Sequence, residues 1–161
     1  MRDLRVTLNT PRGPAPALRG VSFDLARGQT LGLIGESGCG KSVTLRALMR
    51  LLPAARTQLS GGITVDGLDV PTLEPRALSA YRGGTAAMIF QDPMASLNPS
   101  YTVGTQIIET LKVHRPAPAA QLRDRAVELL AQVEIPDPAQ RLSTYPHQLS
   151  GGMSQRVLIA M

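Results

Sequence analysis

Residues 35–42 read Gly-Glu-Ser-Gly-Cys-Gly-Lys-Ser, which fits the spacing GxxxxGK[ST] at every fixed position. The motif constrains the fold because its chemistry works only in one setting, a loop between a buried strand and the start of a helix. Both flanks fit that setting. Residues 30–34 form a dense apolar run ending at Gly35, and Val43 begins helical spacing that continues to Leu52, where Pro53 stops it. Gly35, Gly38 and Gly40 let the backbone curl so that successive N–H groups converge on an anion, with Glu36, Ser37 and Cys39 between them. The helix adds its positive N-terminal end. Lys41 is expected to neutralise the β and γ phosphates, and Ser42 to place its hydroxyl on Mg²⁺. The alternative is a glycine-rich turn with a solvated lysine.

The rest of the chain supplies an α/β setting. Apolar alternation at 4–8 and 21–25, around a stretch rich in Pro and Gly, predicts two paired strands joined by a loop. A strand at 63–65 meets an Asp66-Gly67 turn, a short helix is expected over 75–81, and 85–90 reads as a buried strand. After Gln91 the pattern becomes helical, at about 103–114 and 119–133. In the second segment Leu122, Ala126, Leu129, Leu130 and Val133 share one face. A last helix is expected from Ser150, and the sequence stops within the apolar run 157–161 without a cap, which predicts a fragment.

Composition narrows the partners. Seventeen Lys and Arg against twelve Asp and Glu give a net charge of +5, compatible with anionic ligands. The arginines are scattered, however, and the aromatic residues number only five (Phe23, Tyr81, Phe90, Tyr101, Tyr145), which argues against a base-stacking nucleic-acid surface. No stretch approaches the roughly 20 apolar residues of a membrane span. The single cysteine, Cys39, excludes an intrachain disulfide and suits a reducing compartment, so a soluble, unexported chain is expected. Within the glycine loop a small side chain suffices, although a thiolate there would also be stabilised by Lys41.

A second glycine-bearing turn occurs at Leu149-Ser150-Gly151-Gly152-Met153. Ser150 can cap the following helix, and Gly151 and Gly152 place bare N–H groups at its start, which suits an anion. On its own the same pattern is also that of a capped helix.

Together these motifs resemble the ABC (ATP-binding-cassette) ATPases: residues 35–42 look like Walker A, Phe90-Gln91-Asp92-Pro93 is similar to the Q-loop, and Leu149-Ser150-Gly151-Gly152 resembles the LSGGQ-type signature. The strings from Gln91 to Pro99 and from Tyr145 to Met153 are similar to those of dipeptide and oligopeptide importer ATPases. The resemblance implies an α/β P-loop NTPase core of the ABC ATPase type, C-terminally truncated. Its parts would be an antiparallel β edge and P-loop core (1–90), a Q-loop and inserted α-helical subdomain (91–149), and a signature helix (150–161). It further implies that ATP and Mg²⁺ bind at Gly35 to Ser42, and that Gln91 helps ligate Mg²⁺ and orient the attacking water. Ser150, Gly151 and Gly152 would cover the nucleotide of a second ATPase subunit, identical or different. Two permease subunits would dock on the helical part at the cytoplasmic face of the membrane, with an extracellular solute-binding protein acting indirectly.

Some family parts are not in these 161 residues. Walker B, the catalytic Glu and the switch His are absent, so the chain alone is expected not to turn over ATP. Asp66 precedes Gln91 and sits in a hairpin turn, so it is no Walker B substitute, and His147 lies on the wrong side of the signature to act as the switch. Leu8 stands where the family usually stacks an aromatic ring on adenine. Competing readings are a noncatalytic nucleotide-binding fragment, a related nickel or small-solute importer ATPase, a nonmembrane ABC ATPase, and a P-loop kinase. The last leaves residues 150–152 unexplained.

Overall fold

The computed structural model describes the backbone of residues 1–161 and all side chains except those of Pro93 and Met94. The chain divides into two units, Met1–Ala87 and Met88–Met161.

In the first unit, β1 (Arg2–Thr10) is the central strand of a three-stranded antiparallel sheet, flanked by β2 (Gly13–Val21) and β3 (Thr57–Gly62). The expected β edge is present, but its second strand lies earlier than the alternation at 21–25 predicts: the Pro- and Gly-rich stretch is itself β2. Pro14 and Pro16 pair opposite Asn9 and Thr7. They are tolerated because β2 is an edge strand, where a missing N–H breaks no ladder on its open side. The tight turn between the strands is held by Thr10, whose hydroxyl donates to Gly13 O at 2.8 Å and accepts from Arg12 N at 3.2 Å. Leu4, Val6 and Leu18 carry the apolar face, buried with Ala47, Met49, Ile63, Val70 and Tyr81 from the rest of the unit.

The Asp66-Gly67 turn is as expected. It joins β4 (Thr64–Val65) to β5 (Leu68–Asp69), with both central residues at positive φ, 49° and 78°. The helix α1 runs Lys41–Leu48 and α2 runs Pro75–Gly84, with non-helical geometry at Arg82 and Gly83. α1 ends earlier than Pro53 would dictate because Arg50 takes a left-handed conformation (φ 52°). Arg50 N then donates to Ala47 O and Leu51 N to Arg46 O, a Schellman closure.

Two expected strands do not form. Residues 30–34 and 85–90 have no ladder, apart from a single bridge between Arg82 and Ala86. Ile34 is 98% exposed and Ile89 is 51% exposed. Apolar density alone does not make a strand, because its N–H and C=O groups need a neighbour, and among the described residues no strand lies alongside either run.

The second unit is helical, as expected. The short α3 (Pro93–Ser96) is followed by α4 (Val103–His114), α5 (Ala119–Gln132), the short α6 (Pro138–Arg141) and α7 (Gly151–Ala160). Leu97, Val103, Ile107, Ala126, Leu130, Ile135, Leu142, Val157 and Ala160 form its core. Each large aliphatic side chain so buried contributes about 1.5–3 kcal/mol. The stripe expected on α5 is the buried one: Leu122, Ala126 and Leu130 are covered, with Leu129 and Val133 packed beside the core. α7 shares this core through Val157 and Ala160, so it belongs with the helical unit rather than standing apart.

Candidate functional site

The loop 35–42 takes the shape its glycines require. Gly38 and Gly40 sit at φ 83° and 100°, a region closed to most side chains. At Gly40 a Cβ would also lie 2.5 Å from Leu18 Cδ2 and 3.1 Å from Ala17 O, so the loop can rest against β2 only without a side chain there. Gly40 is the N-cap of α1 and offers no side-chain cap bond. Thr44 is the first residue whose N–H reaches back, to Gly40 O at 2.8 Å. The first-turn N–H groups of Lys41, Ser42 and Val43 thus have no intrahelical acceptor and are available to an anion.

Lys41 occupies that end of the loop. Its ammonium donates to Gly35 O at 2.6 Å and to Glu36 O at 2.7 Å, and lies 3.5 Å from Cys39 Sγ. Ser42 is exposed on the first turn of α1, and Cys39 is a free, exposed thiol. A depression of about 330 Å³ beside the loop is lined by Pro16, Ala17, Leu18, Arg19, Val21, Gly38 and Cys39. Leu8 lies within β1 opposite Ala15 and Thr57, half-buried.

In the second unit, Gln91 is exposed on a bend just before α3. Asp92 Oδ1 accepts from Ala95 N at 3.2 Å, and Asp92 O accepts from Ser96 Oγ at 3.0 Å. The Pro93 and Met94 side chains of this string lie outside the described residues. Ser150 caps α7 as its sequence predicts, its hydroxyl accepting from Met153 N at 3.3 Å. Gly151 and Gly152 are exposed, with nothing within 4 Å of where a Cβ would stand.

Sequence reasoning missed Gln106. It is buried in α4, and all its amide groups are used: Nε2 donates to Asn98 O (3.1 Å) and Tyr101 O (3.0 Å), and Oε1 accepts from Asn98 N (2.9 Å). It ties the turn after α3 to the helical core. A polar residue on the buried stripe beside Val103 and Ile107 was the available signal.

The family model described as ABC transporter matches residues 18–161. The chain belongs to the ABC transporter family. Among curated relatives of this ABC transporter chain, the peptidoglycan transport ATP-binding protein YejF of Agrobacterium fabrum is 49% identical over 162 residues, covering 100% of this chain and 30% of that protein. The dipeptide transport ATP-binding protein DppD of Haemophilus influenzae is 47% identical over 100% of this chain and 49% of its own length. The oligopeptide transport ATP-binding protein OppD of Escherichia coli is 45% identical over 100% and 48%. The chain therefore spans about half or less of the length of these relatives. Among solved structures, the dimeric post-hydrolysis state of the ATP-binding cassette MJ0796 bound to ADP and Pi matches at a TM-score of 0.78 and 26% identity, covering 98% of this chain and 67% of that one. The α/β architecture expected from the motifs is thus that of the ABC ATPase cassettes. Among the described residues no helix is long and apolar enough to cross a membrane.

Proposed function

We propose that this chain is the nucleotide-binding part of an ATPase subunit that powers a peptide importer. The observation that carries the reading is the loop at 35–42, where unpaired N–H groups opening α1 and the Lys41 ammonium share one turn. Such a turn holds a triphosphate with dipoles already in place. Gly35, Glu36, Ser37, Gly38, Cys39 and Gly40 supply the backbone, and Lys41 leaves the carbonyls of Gly35 and Glu36 for the β and γ phosphates. The hydroxyl of Ser42 is exposed and is a hard oxygen of the kind Mg²⁺ prefers, and the family resemblance assigns the exposed side-chain oxygen of Gln91 to the same ion. When bound, Mg²⁺ would neutralise charge on the phosphate oxygens.

The second anion-ready turn needs a second subunit. Ser150, Gly151 and Gly152 cover the nucleotide held by a partner ATPase, which explains two phosphate-type turns in one chain. ATP contacts then exist fully only in the pair, so binding favours closure. The helical unit transmits closure to two permease subunits at the cytoplasmic membrane face, and a solute-binding protein delivers substrate from the other side. Peptides as cargo are supported by the names of the dipeptide and oligopeptide relatives.

Sedimentation velocity of the full chain with and without ATP tests the reading. ATP is expected to convert monomer to dimer, and Ser150→Arg to block the dimer while leaving ATP bound. No nucleotide binding, or a dimer indifferent to Ser150→Arg, would overturn it.

A further inference from the structure

We propose that Arg82 is a positioning residue for the phosphate-binding helix, holding α1 at its far end and thereby setting how tightly the loop at its near end takes nucleotide. The proposal rests on the nucleotide reading above. α1 has eight residues, well short of the ~12–15 that a helix needs to persist alone in water. Its geometry therefore depends on what grips its ends. Gly40 gives no side-chain cap at the N-terminal end, which is left open for the anion.

The C-terminal end is gripped by α2. Tyr81, only 1% exposed, donates its hydroxyl to Leu48 O at 3.0 Å. The next residue, Arg82, donates Nε to Met49 O at 3.0 Å and Nη2 to Arg50 O at 2.6 Å. The successive carbonyls of Leu48 at the helix end, Met49 at its C-cap and Arg50 just beyond thus each accept a side-chain hydrogen bond from α2. The chain leaves helical geometry at Arg82 (ψ 114°) and Gly83 (φ 88°). Thr85 N and Ala86 N then return to Tyr81 O, fixing the turn from which the guanidinium extends.

Two features single out arginine. Its planar fork serves two neighbouring carbonyls at once, whereas an ammonium is a single point. Its charge lies at the negative end of the same helix dipole whose positive end faces the phosphates. Arg82 also holds the carbonyl of Arg50, the left-handed residue on which the end of the helix turns. Freed from this grip, α1 frays from its C-terminus, and the N–H groups of its first turn lose their fixed aim.

The test compares the full chain with Arg82→Met, Arg82→Lys and Lys41→Ala, by ATP titration calorimetry and amide hydrogen exchange of residues 41–48. Arg82→Met is expected to weaken ATP binding about tenfold. Arg82→Lys, which keeps the charge and loses the fork, should weaken it about threefold. Exchange in α1 should quicken in the same order, while exchange in α5 of the helical unit stays at its wild-type rate. Should Arg82→Met fail to fold, Arg82→Lys decides alone. Wild-type affinity and wild-type α1 exchange in either folded variant would overturn the proposal. A wild-type chain that binds no ATP, or Lys41→Ala binding ATP as wild type does, would instead remove the nucleotide reading itself.

Discussion

The Lys41 ammonium donates to the carbonyl oxygen of Gly35 at 2.6 Å, closing the loop on its own cation. The same ammonium donates to Glu36 O and lies 3.5 Å from Cys39 Sγ. On the proposed nucleotide reading, lysine and thiol are expected to respond together when an anion draws the ammonium away.

That pairing gives the first prediction. Cys39 is exposed, and a Cβ at Gly35 would stand 2.7 Å from its sulfur, so the thiol packs across the mouth of the loop. Alkylation of Cys39 is expected to slow at least about fivefold in saturating ATP, because bound phosphates restrict the approach to the sulfur. Mass spectrometry of the labelled peptide measures it. Equal rates with and without nucleotide would show that ATP does not occupy this turn.

Gln106 carries the second. Replacing it by Leu keeps the volume but takes the partner from Asn98 N and Tyr101 O and leaves Asn98 O only its bond from Tyr101 N. Gln106→Leu is expected to destabilise the full chain by about 2–3 kcal/mol, read from urea unfolding. A loss below about 0.5 kcal/mol would show that water replaces these bonds freely.

The third concerns alkaline pH. Burial pushes the Tyr81 hydroxyl above its ordinary 10.0, since the phenolate is costlier to bury than the phenol. The folded state then holds this proton more tightly than the unfolded state. Its contribution is complete below pH 10 and is lost as pH rises from about 10 toward the folded value. Unfolding free energy should fall with pH above about 10, and Tyr81→Phe should flatten that fall while lowering stability at pH 7 by about 1 kcal/mol, the bond to Leu48 O. An identical alkaline slope in both proteins would contradict the assignment.

The features legible in the sequence are those set by local chemistry. The glycines of 35–42 demand a left-handed loop, Asp66-Gly67 demands a tight hairpin, the stripe on α5 demands a buried face, and Ser150 demands a helix start; each is present. What was not legible depends on partners distant in sequence. β2 is a strand despite Pro14 and Pro16 because β1 pairs it on one side only, and β3, Thr-Gln-Leu-Ser-Gly-Gly, has no apolar alternation and is a strand because β1 is next to it. Residues 30–34 and 85–90 have the right composition and no neighbour. The grip of Arg82 on Met49 and Arg50 spans more than thirty residues of sequence, and no spacing rule announces it.

The central claim is that residues 35–42 bind the phosphates of ATP through the open end of α1 and Lys41. Titration calorimetry of Mg·ATP into the full chain and into Lys41→Ala tests it most directly. Saturable binding by the wild type, weakened about 10- to 100-fold by the loss of one charge-assisted contact, is the predicted result. Equal affinity in the two proteins, or no binding by a folded wild-type chain, would contradict it.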